Sequence, residues 1–165
     1  MKITLFLLIL TAFLNAQILD VKILYLEQKI QKPPVLSNII DEPEDLGLKG
    51  AQVAIFDSNK SAKFLNQNFE LIEKISYDEN ELISAFEEFI KNKNSYVVLN
   101  VEDSLLEKIR NNPLSKQSLL INASSQSTHL RSQICDKNLL HTIASNAMLY
   151  DGLVQFLVKR DFKDI

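Results

Sequence analysis

Apolar and polar positions along this chain fall into two alternating periods. Residues 21–26 (VKILYL) form an almost continuous apolar run with β-branched members, which fits a strand buried on both faces of a parallel sheet. Residues 28–45 mix Pro33, Pro34 and Pro43 with charged and polar groups and read as loop. From 46 to 66 a helical period returns, with Leu46, Gly50, Val53, Ala54, Asp57, Ser61, Ala62 and Leu65 on one face, small or apolar enough to pack closely on a sheet. Residues 69–75 (FELIEKI) alternate apolar with charged, the mark of a half-exposed edge strand. Asp78 reads as an N-cap with Glu81 three residues on, opening a helix through Lys91 that buries Leu82, Ile83, Phe86, Phe89 and Ile90. Residues 96–99 (YVVL) predict a central strand. A helix over 103–110 stops at Asn111-Asn112-Pro113, and 118–121 predict the next strand. A Ser-rich loop, a second short strand and an amphipathic helix complete the pattern.

Strands alternating with helices in units of about 25 residues predict βαβ crossovers. The expected fold class is therefore α/β, an open and mostly parallel sheet with helices on both faces. No compositional boundary divides the chain before the helix that opens at Ser145.

A hydrophobic content of 46% with 24% charged residues is that of a globular chain. The three glycines, Gly47, Gly50 and Gly152, build neither a GxGxxG nor a GxxxxGK[ST] phosphate loop. The single Cys135 permits no internal disulfide and is expected to be buried and inert. At the amino end, Lys2, an apolar run over 3–14 and the small Ala16 have the layout of a secretory signal peptide spanning 1–16. The run is short of the ~20 residues of a membrane span; an uncleaved anchor or a buried N-terminal helix is the other reading. Loss of Lys2 with the leader would move the formal charge from −3 to about −4. That acidic balance argues against a nucleic-acid partner, which selects a basic face.

Ligands of open parallel sheets sit outside the carboxyl ends of the strands. Three strand ends offer chemistry: Glu27 and Gln28; Asn100, Glu102 and Asp103; and Asn122, Ala123, Ser124 and Ser125. The third is the most site-like, because short hydroxyls and free backbone N–H groups can hold a carboxylate without bulk. Asn100 is a further ligand-binding candidate, while Glu102 and Asp103 suit the positive end of the following helix. His129, Cys135 and His141 match no zinc spacing, and His141 reads as a strand-end histidine bonded to backbone. Neither serine lies in a G-x-S-x-G turn. The expectation is of no catalytic residue, no metal and no cofactor. Asp57-Ser58-Asn59-Lys60-Ser61 fits an acidic-x-Asn-x-Ser glycosylation acceptor, so modification at Asn59 is a further expectation.

The stretch 119–159 carries Leu130-Arg131, Cys135, the run Asn138-Leu139-Leu140-His141-Thr142, Ser145, Ala147-Met148-Leu149, Asp151 and Gln155-Phe156-Leu157-Val158. On these residues the chain resembles the two-lobed periplasmic solute-binding proteins of ABC importers, of the branched-chain amino-acid (type I) class. It looks closest to the group associated with pyrroloquinoline-quinone-dependent alcohol catabolism. That pattern usually has a proline before the serine at 145, where this chain has Ala144. The resemblance implies an N-terminal α/β lobe over 17–144 and, over 145–165, the first helix of a second lobe otherwise missing, so that the chain is a front-lobe fragment. It implies a small polar or carboxylate-bearing solute held by Ser124 and Ser125, with Asn122 and Asn100 as weaker contacts. It also implies ABC transporter membrane subunits as partners, a possible link to a quinoprotein dehydrogenase system, no nucleic acid, and a periplasmic location. The last helix carries an apolar stripe of Leu149, Leu153, Phe156 and Leu157 beside Met148, which would pack on that second lobe. The alternatives are a periplasmic protein-interaction or sensor module of the same fold, and a non-functional truncated remnant. A small exported enzyme ranks last.

Overall fold

The computed structural model describes residues 18–31, 43, 45–133 and 135–160. The expected leader at 1–16 and most of the loop expected at 28–45 lie outside the described residues. Five strands are described: β1 (Leu19–Gln28), β2 (Gln67–Ser76), β3 (Tyr96–Asn100), β4 (Leu119–Asn122) and β5 (Leu139–His141). They form one sheet in the order β2-β1-β3-β4-β5, and every neighbouring pair is parallel. Helices α1 (Leu46–Ala62), α2 (Glu79–Lys91), α3 (Asp103–Asn111), the single-turn α4 (His129–Ser132) and α5 (Asn146–Lys159) alternate with the strands. The α/β class, the parallel sheet and β2 at its edge follow the sequence pattern. The order is one of the common doubly wound arrangements, whose switch point lies between β1 and β3.

One face of the sheet is a dry core. Leu24, Leu26, Val97, Leu99, Leu120 and Leu139 point into it from the strands and meet Leu82, Phe86, Phe89 and Ile90 of α2 and Leu105, Leu106 and Ile109 of α3. The expected face of α2 is the one buried, with Ile83 partly covered at its margin. Asp78 caps α2 by accepting from the Asn80 N–H at 2.8 Å. Glu81 does not close a reciprocal capping box. The Asp78 N–H already donates to Ser76 Oγ, and Ser76 Oγ in turn donates to Glu81 at 2.9 Å.

The opposite face holds α1, and here the sequence expectation is corrected. The helical stripe that meets the sheet is Leu48, Ala51, Gln52, Ile55, Asn59 and Ala62, close to the opposite side of the helix from Leu46, Gly50, Val53 and Asp57, which are exposed. Apolar residues lie on both sides of this helix, so size and polarity alone do not orient it. Hydrogen bonds do: Asn59 donates to the Phe69 carbonyl and accepts from the Phe69 N–H, both at 2.8 Å, and Gln52 donates to Glu73 at 2.8 Å. The same two bonds correct the glycosylation expectation, because the Asn59 amide is engaged at both ends against the edge strand.

Ser145 caps α5 by accepting from the Met148 N–H. None of the helix is buried; Met148 is 60% exposed, Phe156 54% and Val158 64%. Among the described residues, no helix is long and apolar enough to cross a membrane.

Phe86→Ala empties a fully buried position and is expected to cost about 3–5 kcal/mol. Leu153→Ala on the uncovered α5 is expected to stay within about 0.5 kcal/mol. Urea unfolding of the two variants checks the contrast through their midpoints at unchanged slope.

Candidate functional site

Parallel pairing brings the carboxyl ends of β1, β3 and β4 to one edge of the sheet. An open cleft of about 600 Å³ lies there, lined by Gln28 at the end of β1 and Ile30 beyond it, by Asn100 to Ser104 at the end of β3 and start of α3, by Ser124 to Ser127, and by Asn146. A neighbouring recess of about 540 Å³ shares Gln28, Ile30 and Asn100 and adds Glu27, Lys29, Gln31 and Tyr77. The larger cleft is lined by amide and hydroxyl groups together with the apolar Ile30 and Val101, with the carboxylates of Glu102 and Asp103 at the mouth of α3.

Beneath this edge the polar groups are already organised. The buried Tyr25 hydroxyl donates to Glu27 at 2.8 Å and accepts from Asn100 Nδ2 at 2.9 Å. Burial, and then the bond to Glu27, push the Tyr25 hydroxyl well above its usual value of 10.0, so it stays a neutral donor. The buried Glu27 carboxylate is balanced by Lys29 at 2.8 Å. A charge this far from water requires such a partner. Gln28 closes the end of β1 by accepting from the Glu102 N–H at 3.0 Å and donating to Glu79 at 3.3 Å, at the amino ends of α3 and α2 respectively. Glu79 also pairs with Lys108.

The serine loop after β4 is built on Asn122, which is fully buried. Its Oδ1 accepts from the N–H groups of Ser124 at 3.2 Å and Ser125 at 2.8 Å, and its Nδ2 donates to the Ser125 carbonyl at 2.7 Å. Ser124 Oγ donates to the Val101 carbonyl at 2.7 Å, and Ser125 Oγ accepts from the Ser127 N–H at 3.3 Å. Three of the four residues expected to bind ligand, Asn100, Ser124 and Ser125, therefore line one cleft. Asn122 lies below them and shapes the loop. The backbone N–H groups of 124 and 125, expected to be free for a carboxylate, are both taken by Asn122 Oδ1. What remains in the cleft lining is hydroxyl chemistry: Ser124 Oγ retains acceptor capacity, and Ser125, only 4% exposed, keeps its hydroxyl hydrogen unused.

Sequence reasoning missed the lower layer. Tyr25 lies within an apolar run that gave no polar signal, Glu27 was visible only as a polar residue at the strand end, and Gly47 carried no signal at all. A Cβ at Gly47 would sit 2.7 Å from the Tyr25 hydroxyl and 2.9 Å from Asn100 Nδ2, so the first turn of α1 rests directly on this pair. Cys135 is exposed rather than buried. It sits in the loop that the neighbouring Asp136, paired with Arg110, ties to the surface of α3. Among the described residues, no three His, Cys, Asp or Glu side chains gather as a metal cluster.

Two glycines of the same helix should respond with opposite sign to the same substitution. Gly50 has nothing within 4 Å of a built Cβ, so Gly50→Ala is expected to stabilise by about 0.5–1 kcal/mol through helix propensity. Gly47→Ala gains the same propensity but forces the Tyr25–Asn100 pair apart, with an expected net loss of about 1–3 kcal/mol. Thermal unfolding of both variants reads the signs directly. The chain matches no protein-family model, and no curated protein matches it significantly.

Proposed function

We propose that this chain is the front lobe of a periplasmic substrate-binding component of an ABC import system, holding a small polar solute at the carboxyl edge of its sheet. The observation that carries the reading is the convergence of Asn100, Ser124 and Ser125 on one open cleft, above a layer of hydrogen bonds that already satisfies the buried polar groups. Ligands of open α/β sheets bind at this edge, and a few convergent polar groups in a concave site are the usual form of small-molecule recognition. The resemblance across 119–159 supplies the family, the partner membrane subunits and the periplasmic location. The association with quinoprotein alcohol oxidation rests on that resemblance alone.

Binding here makes and breaks no bond. Ser124 Oγ is directed at the Val101 carbonyl, which accepts a hydrogen bond but cannot serve as a base. A solute donor meets Ser124 and a solute acceptor meets Ser125. Closure of a second lobe over the solute would then signal occupancy to the membrane partner.

A second reading, a protein-interaction module of the same fold, is favoured by one observation: α5 is apolar along its length and buries none of its residues. An uncovered apolar surface of that kind marks a contact site.

Titration with a panel of small amino acids, hydroxy acids and polyols, read by thermal shift and by amide NMR shifts, separates the two. A ligand of the folded state must raise the melting temperature. The expected result is a hit that perturbs Asn100 and 124–127, weakened about tenfold by Ser125→Ala, the ~1.4 kcal/mol of one hydrogen bond to the solute. A panel that leaves every cleft amide unmoved removes the solute-binding reading.

A further inference from the structure

Asn122 and His141 face each other across the last strand pair. They are register partners in β4 and β5, and Asn122 Nδ2 lies 2.9 Å from His141 Nδ1. The orientation of the Asn122 amide is not free. Its Oδ1 receives the two backbone N–H groups of Ser124 and Ser125, so the nitrogen must be the atom turned to the ring. One hydrogen of that nitrogen goes to the Ser125 carbonyl at 2.7 Å and the other to His141. All of the amide's donors and acceptors are engaged. His141 Nδ1 is then necessarily an acceptor, which places the proton of the neutral ring on Nε2.

We propose that His141 is a positioning residue for the serine loop: as a neutral imidazole it completes the Asn122 bracket, and protonation of its Nδ1 releases the loop. An imidazolium donates from both nitrogens. Its Nδ1–H would point at the Asn122 N–H₂. If the amide turned over to offer its oxygen, the N–H₂ would face the Ser124 and Ser125 N–H groups. Neither arrangement keeps the loop, so one added proton is incompatible with the whole bracket. A buried network of this kind is held only while every member is satisfied.

The surroundings also disfavour the charged ring. The charged group acting on His141 is Arg131 of α4, which donates to the Ile143 carbonyl beside it. β4, residues 123–128, β5 and residues 142–145 contribute no charged side chain. Burial and then the Arg131 charge hold the His141 pKa below its usual 6.5. The sign follows by linkage: the released loop binds the proton more readily than the closed one. The bracket is at full strength above about pH 6.5 and weakens as pH falls through the lowered value. The consequence for solute affinity rests on the proposed function; the behaviour of the loop does not.

Amide exchange of the full chain by NMR, corrected for intrinsic rates, tests the loop itself between about pH 7.5 and about pH 5, the range a histidine spans. Protection at Ser124 and Ser125 is expected to fall, by up to about tenfold per pH unit, from about pH 6.5 down to the ring's lowered midpoint and to level off below it, while Leu99 in the core stays protected. His141→Gln, whose amide accepts but does not titrate, is expected to keep protection flat across the range. His141→Leu is expected to lose it at every pH. Flat protection in the unaltered chain, a pH response in His141→Gln like that of the unaltered chain, or loss at Leu99 in step with the loop each overturns the proposal. Should the variants fail to fold, the ¹⁵N titration of His141 in the unaltered chain decides: a midpoint coinciding with loop release supports it, and separate midpoints overturn it. A solute panel with no hit alongside a pH-dependent loop would sink the proposed function and leave this inference standing.

Discussion

Parallel pairing of β1 with both β2 and β3 is the interaction on which the other features depend. Register partners such as Leu26, Lys74 and Leu99 run in the same sense, so the chain must cross the sheet by a helix after each strand, and every strand ends at the same edge. Between β1 and β3 the crossovers change direction, the connections lead apart, and a concavity remains. The cleft lined by Gln28, Asn100 and the serine loop occupies that edge.

The two faces of the sheet are held by different physics. On one, leucines from four strands meet apolar residues of α2 and α3, so burial of apolar area supplies the stability. On the other, α1 is tied by the paired bonds of Asn59 to the Phe69 backbone and by Gln52 to Glu73. Its first turn comes close enough to the Tyr25–Asn100 pair that only glycine fits at position 47. The apolar face thus makes the sheet stable, and the polar face sets the geometry just below the cleft.

Satisfaction of buried polar groups governs the serine loop in the same way. Buried backbone N–H groups without partners are costly. Asn122, at zero exposure, answers two of them at once and takes its last partner from the neighbouring strand. The loop's shape is therefore a property of β4 and β5 together. The N–H groups of both serines are turned inward to Asn122.

The chain's own pattern determined the alternation of strands and helices, the α/β class, the buried face of α2, the cap at Asp78 and the edge position of β2. Each depends on local periodicity or on one side chain bonding its own backbone, and both are visible in a linear string. It also marked Asn100 and 122–125 as the polar residues at strand ends. Tertiary structure alone decided what those residues do. Which side of α1 meets the sheet turned on hydrogen bonds to Phe69 and Glu73, which a helix with apolar residues on both sides does not announce. Cys135 lies exposed because the Asp136–Arg110 pair holds its loop at the surface. Asn122 shapes the loop rather than lining the cleft because its amide is used up by the backbone of Ser124 and Ser125 and by His141, nineteen residues on in the neighbouring strand. The physical reason is common to all three: hydrogen bonds and ion pairs between distant segments are directional and leave no period in the sequence, whereas burial of one face of an element does.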